Sequence, residues 1–159
     1  MIRTAFAFSA LVTWAALANG AALAPPTGRL PNDVTPTAYR LDLTIDPSRA
    51  RFTGHTEIEA VLARPSTTVY LHGNGLRVTG ARIVARGRTY PAHYSEVDPT
   101  GVARLDVSGL VPAGKITLRL DYSSAFRSTN EGLYRAKIAN EWYAWTQFEP
   151  IDARRMVKI

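Results

Sequence analysis

Apolar and polar residues alternate with a period of two through most of this sequence, and this pattern constrains the fold more than any other feature. It is clearest from Tyr39 to Ile45 and recurs in residues 52–62 and 116–122. Successive residues of a β-strand point to opposite faces of a sheet, so the pattern predicts strands with one buried face. We find no helical periodicity over three turns after residue 20. The sequence therefore predicts an all-β fold.

Turn-forming residues separate the alternating segments at short intervals, as Pro112-Ala113-Gly114 does before residue 116. Such spacing is typical of antiparallel sheets and not of βαβ units, so we expect an antiparallel β-sandwich or a curved sheet. Pro91 has no backbone N–H to give to a ladder, which favours an edge position for its strand. The predicted strands are residues 39–45, 52–62, 69–71, 76–85, 89–94, 102–107, 116–122, 133–138 and 142–147. We expect the last two to pair as a hairpin across a turn at Ala139-Asn140-Glu141.

The first twenty residues have the pattern of a secretory signal peptide. Arg3 precedes an apolar, alanine-rich stretch from residue 5 to 18, which is too short to span a bilayer. Small residues favour cleavage after Gly20. We expect a disordered mature N-terminus at residues 21–29, a domain at residues 30–159, export to the periplasm or outside the cell, and no stable membrane span after cleavage. A membrane anchor or a buried helix is the alternative.

Composition narrows the classes of partner and of chemistry. The net charge of +6 comes from arginines scattered singly along the chain, whereas a nucleic-acid binder gathers its positive charge on one face. We therefore expect no nucleic-acid partner. The chain has no cysteine, so it has neither a disulfide nor a cysteine nucleophile.

The sequence contains no recognisable catalytic or metal-binding motif. Its three histidines, His55, His72 and His93, do not form the zinc motif H-E-x-x-H. His55 belongs to the polar face of its strand, and His72 is predicted to be a surface or turn residue. Glu57 and Glu59 lie on one strand face, where we interpret them as a solvated surface and not as an acid/base pair. The prediction is no catalytic residue and no metal ligand.

Aromatic residues cluster near the end of the chain. Trp142, Tyr143 and Trp145 could offer a platform for stacking on a sugar ring, but alternation places Trp142 and Tyr143 on opposite faces. All three cannot share one platform, and we expect at least one of them in the core.

Three stretches of sequence resemble one protein family. They are residues 30–39, Gly132-Leu133-Tyr134-Arg135, and Thr146-Gln147-Phe148-Glu149-Pro150 with its continuation to Arg155. Together they resemble the N-terminal β-domain of zinc aminopeptidases of the aminopeptidase N family, over residues 30 to about 155. In that family a catalytic zinc domain follows, and after Ile159 no counterpart of it is present in this sequence.

The resemblance implies a role for two residues. Gln147 and Glu149 share a strand face if the strand continues that far, and Pro150 favours extended geometry at the residue before it. A carboxylate held there can accept strong hydrogen bonds from an ammonium group. In the resembled family the matching glutamate contacts the α-amino group of the substrate and the glutamine lines the pocket for its first side chain. The alternative is that Glu149 pairs with Arg154 or Arg155 and pins the loop.

The expected function is substrate recognition within a zinc metalloaminopeptidase that removes N-terminal residues from peptides. This chain alone is expected to be an inactive fragment without a cofactor, and zinc is expected only in the missing catalytic domain. The expected partners are peptide N-termini, in a pocket completed by a catalytic domain or a partner chain. Two alternatives remain: a free-standing module that binds peptide or carbohydrate, and an interaction domain that docks onto another chain.

Overall fold

A computed structural model describes residues 25–147 and residue 159 of the chain. The regular secondary structure of these residues is entirely β-strand. The strands are β1 (Val34–Thr44), β2 (Arg51–Leu62), β3 (Ser66–His72), β4 (Leu76–Ala85), β5 (Arg88–Asp98), β6 (Val102–Val111), β7 (Gly114–Ala125), β8 (Gly132–Ile138) and β9 (Glu141–Gln147).

Seven strands form one antiparallel sheet in the order β1-β2-β7-β4-β5-β6-β3, and β8 and β9 form a separate two-stranded sheet. The long sheet curls because one core joins strands that lie far apart in this order. Ile58 on β2, Leu118 on β7 and Leu71 on β3 are fully buried in the same cluster, although three strands, β4, β5 and β6, lie between β7 and β3. The predicted all-β antiparallel fold is confirmed in its curved-sheet form.

Alternation of buried and exposed residues explains which face of the sheet is inside. On β2, Thr56, Ile58, Ala60 and Leu62 are buried, and the residues between them are exposed or half-buried. The same alternation holds along β7. Burial of large aliphatic side chains contributes about 1.5–3 kcal/mol each, so this shared inner face is the main source of stability.

Pro91 is not on an edge strand, so that prediction was wrong. Strand β5 lies between β4 and β6 and changes partner at this residue. Its pairing with β4 ends where Pro91 meets Arg82, and its pairing with β6 begins where Ala92 meets Val107. The N–H that proline lacks thus falls where one ladder gives way to the next. A proline at a change of partner is tolerated inside the sheet.

Strand β1 forms one open edge of the curled sheet. Tyr39 and Leu41 pair with the buried residues Ile58 and Thr56 and share their face, yet they are 49% and 42% exposed. The hydroxyl of Tyr39 donates to the carbonyl of Ile159 at 3.1 Å and accepts from its amide at 3.2 Å. Ile159 also packs against the core. The last residue of the chain therefore lies against β1.

The leader predicted at residues 1–20 lies outside the described residues and stays a prediction. The same holds for the predicted boundaries of the mature domain. In the part of the chain that the structure describes, no helix has the length and apolar character needed to cross a membrane.

Candidate functional site

The β8–β9 hairpin carries the described part of the predicted site. Its register pairs Gly132 with Gln147 at the open end and Ile138 with Glu141 beside the turn. At the turn, Ala139 adopts a φ of 53°, a left-handed conformation that reverses the chain in two residues. The predicted hairpin is confirmed, and Glu141 belongs to the strand and not to the turn.

One face of the hairpin lies against the main sheet. Leu133, Arg135 and Lys137 of β8 share this face with Trp142, Ala144 and Thr146 of β9. Leu133 is buried in the common core, and Ala144 packs against it. An isolated two-stranded hairpin is marginally stable in water, so these contacts hold the hairpin in place.

Arg135 makes the polar attachment between the hairpin and the main sheet. Its Nη1 atom donates to the backbone carbonyls of Pro47 at 3.0 Å and Arg49 at 2.6 Å. Its guanidinium carbon lies 4.3 Å from the centre of the Trp142 ring and 5.9 Å from that of Phe126. One cation thus joins β9 to the turn between β1 and β2 and to the end of β7.

The turn that Arg135 binds has its own local stabilisation. The carboxylate of Asp46 accepts from the hydroxyl of Ser48 at 2.6 Å and from its amide at 3.0 Å. These hydrogen bonds, with a smaller contribution from the nearby Arg49, lower the pKa of Asp46. The carboxylate fixes the turn as an Asx-turn and so presents its carbonyls to Arg135.

The other face of the hairpin is an exposed aromatic surface that ends at Gln147. Tyr134 lies directly opposite Trp145, and Tyr143 lies two residues further from Gln147 on the same face. Trp145 is 49% exposed and Tyr143 is 44% exposed. The predicted separation of Trp142 from Tyr143 is confirmed. The expectation that one of these three rings is in the core was wrong, since Trp142 is only half-buried beneath Arg135.

Gln147 is the last residue of β9 and its side chain is exposed. Its cross-strand partner, Gly132, is a glycine with a φ of +65°, so no side chain stands opposite the amide. Glu149, the second predicted site residue, lies outside the described residues. The predicted pairing of the two on one face, and the alternative pairing of Glu149 with Arg154 or Arg155, therefore stay predictions.

The histidines and paired glutamates of the main sheet do not assemble a catalytic site among the described residues. On the outer face, His55 Nδ1 lies 2.6 Å from Asp121 Oδ1, and Glu57 accepts an ion pair from Arg119 at 2.9 Å. This is the solvated, ion-paired surface predicted for Glu57, with Glu59 exposed beside it. His72 was predicted to be a surface or turn residue, but it is buried at the end of β3, where it pairs with Val102 of β6.

The outer-face ion pairs change the acidity of one carboxyl. The hydrogen bond with His55 is the main reason why the pKa of Asp121 is lowered, and the charges of His55 and Arg82 act in the same direction. Arg82 lies 3.3 Å from the other carboxylate oxygen. Because the side chain of Asp121 is 44% exposed, these contacts contribute little to stability.

A zinc site does not fit the residues that the structure describes. Within residues 25–147 and 159, no three histidine, cysteine, aspartate or glutamate side chains converge as a metal site would need. His55 is already engaged by Asp121, and His72 and His93 lie on β3 and β5. We therefore assign no metal to this part of the chain.

Sequence reasoning did not identify Arg135 as an anchor of the hairpin, although Arg135 lies in one of the stretches that carry the family resemblance. Its role could have been predicted from the register of the hairpin. A two-residue turn at 139–140 fixes the register of the hairpin and places Arg135 diagonally across from Trp142. That geometry predicts a cation over an indole ring.

Comparison of the sequence with known proteins identifies its family. The profile of the Peptidase M1 N-terminal domain matches residues 35–158. Endoplasmic reticulum aminopeptidase 1 of Mus musculus is 29% identical over 143 residues, which cover 79% of this chain and 15% of that protein. Aminopeptidase M1-C of Oryza sativa subsp. japonica is 30% identical over 131 residues, with coverage of 80% and 15%.

Aminopeptidase N of Acetobacter pasteurianus is 30% identical over 134 residues, which cover 81% of this chain and 37% of that protein. The chain thus spans 15% to 37% of the length of these relatives. The domain match covers most of the chain, including all nine strands except the first residue of β1. The chain belongs to the peptidase M1 N-terminal domain family.

Proposed function

We propose that this chain is the domain of an M1 aminopeptidase that binds the free N-terminus of a peptide, through Gln147 and Glu149. The observation that carries the proposal is the exposed position of Gln147 at the end of β9, on a hairpin that Leu133 and Arg135 anchor to the main sheet. A rigid element positions a polar group more accurately than a loop does.

The chemistry of the two side chains suits an ammonium ligand. The amide oxygen of Gln147 can accept one hydrogen bond, and the carboxylate of Glu149 can accept a second, charge-assisted one. A single exposed carboxylate offers only about 0–1 kcal/mol in water, so binding gains strength when another domain excludes solvent from the site. We expect the chain alone to be catalytically inactive.

The proposed function involves zinc only as a metal bound by another domain of the enzyme. M1 aminopeptidases are zinc enzymes, and the metal supplies an activated water for hydrolysis of the peptide bond. The ligands for that zinc are proposed to lie in a catalytic domain outside this chain. The part played by this chain is to hold the amino group and the first side chain in a fixed place.

A chimera tests the proposed role. A catalytic domain from an M1 aminopeptidase, fused in frame after Arg155, should produce aminopeptidase activity. In that chimera Glu149→Gln should reduce kcat/KM far more than Glu57→Gln, because glutamine keeps the shape but loses the charge that faces the ammonium. Glu57 is the matched control since it is paired with Arg119 on the outer face. Equal kinetics for the two variants would show that Glu149 does not contact the substrate.

Export is proposed from the leader pattern at residues 1–20. Expression in a Gram-negative host, followed by fractionation, should place the protein in the periplasm with Ala21 as its first residue. An uncleaved N-terminus in the cytoplasmic fraction would refute both the leader and its cleavage site.

A further inference from the structure

The aromatic surface beside Gln147 is the nearest set of side chains that a ligand at this residue would meet among the described residues. Trp145 lies two residues before Gln147 on the same strand and face, a separation of about 7 Å. Tyr134 lies diagonally across, at about 7–8 Å. Gly132, directly opposite Gln147, contributes no side chain to this face.

Tyr134 and Trp145, here called the aromatic pair, face each other across the ladder. Trp145 leaves half of its surface exposed, whereas the chemically identical Trp142 on the other face lies beneath Arg135. Among the described residues, Trp145 neither packs into the core nor lies against a cation, and an exposed ring of this kind is available to a ligand.

The charged residues of the hairpin indicate which kind of ligand side chain the aromatic pair would bind. The cations of the hairpin, Arg135 and Lys137, lie on the opposite face, where Trp142 contacts both of them. The charged hairpin residue on the face of the aromatic pair is Glu141, which lies beside the turn, six residues from Gln147. Among the described residues, this face of the hairpin therefore offers no carboxylate near Gln147 to pair with a cationic side chain. An aromatic or large aliphatic side chain needs no such partner and gains from contact with the rings.

We propose that the aromatic pair contacts the first side chain of a peptide whose amino group is bound at Gln147, and that it selects large apolar side chains. This inference rests on the proposed function, because it takes the amino group at Gln147 as its starting point. In this arrangement Trp145 is a specificity-determining residue and has no part in the chemistry.

The full chain, labelled with ¹⁵N, provides the test through the indole N–H signals of its tryptophans, assigned with single Trp→Phe variants. The probes are phenylalanine amide, leucine amide, glycine amide, N-acetyl-phenylalanine amide and a disaccharide. Phenylalanine amide should move the Trp145 signal and leave Trp142 unmoved. Glycine amide has no side chain that can stack on the rings, so its dissociation constant should be up to roughly tenfold higher than that of phenylalanine amide.

A Trp145→Ala variant removes the ring, and its backbone spectrum shows whether it has folded. The preference for phenylalanine amide over glycine amide should disappear, while the difference between free and acetylated amides should remain. Trp142→Ala is the matched control, and the preference should survive in it. Tyr134→Leu, which keeps an apolar side chain, should weaken the preference without abolishing it.

The outcomes separate this inference from the function on which it rests. Equal binding of free and acetylated phenylalanine amide would refute recognition of the amino group but leave the aromatic pair as an apolar site. Binding of the free amines without a preference for phenylalanine would refute the aromatic pair alone. A Trp145 shift caused by a disaccharide and not by phenylalanine amide, or no shift with any amide up to its solubility limit, would overturn the inference.

Discussion

The guanidinium carbon of Arg135 lies 4.3 Å from the ring centre of Trp142, while the same side chain donates to the carbonyl of Arg49. This relationship makes Arg135 the connection between the hairpin that carries Gln147 and the turn that joins β1 to β2. The hairpin is also held by apolar contacts, since Leu133 is buried in the core and Ala144 packs against it. The position of Gln147 relative to the main sheet therefore depends on Arg135 together with these apolar contacts.

Replacing Arg135 with methionine should loosen the hairpin. Methionine keeps the apolar stem of arginine but removes both carbonyl hydrogen bonds and the charge over the rings, so we expect a loss of about 1–3 kcal/mol in the free energy of unfolding. Urea denaturation measures the loss, and amide hydrogen exchange should locate faster opening in residues 133–146. Lys137→Met is the control, because Lys137 is exposed and lies 6.0 Å from the Trp142 ring. Equal effects of the two variants would contradict the role given to Arg135.

Gly54→Ala should destabilise the main sheet. A Cβ atom at this position would lie 2.5 Å from the ring of Tyr122, which is buried and accepts from the hydroxyl of Thr56 at 3.3 Å. The ring must move, and overpacking of this kind typically costs about 1–3 kcal/mol. Thermal or urea unfolding measures the cost. At Gly109, where the nearest atoms lie 3.9 Å away, alanine should be nearly neutral, and a larger loss there than at Gly54 would refute the explanation.

Local pattern was sufficient to predict most strands. The alternation from Phe52 to Leu62 reports directly which side chains are buried, and the structure has β2 at Arg51–Leu62. The hairpin was predicted correctly because its two strands are adjacent in sequence and its turn is short. Such features need no knowledge of distant parts of the chain.

Properties that depend on distant strands could not be predicted. The environment of Pro91 is set by a change of partner from β4 to β6, which no local pattern reports. The burial of His72 results from β6, thirty residues further along the chain. The exposure of Trp145 depends on whether another part of the chain packs on its face of the hairpin, which the pattern of β9 alone does not report. Glu149 lies outside the described residues.

Asp121→Asn should reduce stability in a pH-dependent way. The pKa of Asp121 is lowered in the folded state from its ordinary value of 3.8, mainly by the hydrogen bond with His55. The carboxylate therefore stabilises the fold above its unfolded-state pKa, and this contribution is lost as the pH falls through the folded-state pKa. The side chain is 44% exposed, so the loss in the variant should be below about 1 kcal/mol at neutral pH and should vanish in acid.

Urea denaturation of both proteins between neutral pH and pH 3 measures the effect of Asp121→Asn. Repeating the comparison in a His55→Ala background tests its cause, because the pH-dependent part should shrink when the hydrogen bond is absent. A loss that is the same at every pH would show that the asparagine variant acts through shape and not through charge.

The chain alone, supplied with zinc, should not hydrolyse alanyl or leucyl chromogenic amides faster than a zinc blank. Hydrolysis of this kind needs a metal-activated water, and a catalytic zinc needs three converging protein ligands. The sequence has three histidines, no cysteine and no H-E-x-x-H motif, and the described histidines occupy β2, β3 and β5 without forming a shared site. Release of the chromophore at an enzyme-like rate, abolished by a chelator and unchanged after further purification, would show that this chain holds a catalytic metal and would remove the need for a separate catalytic domain.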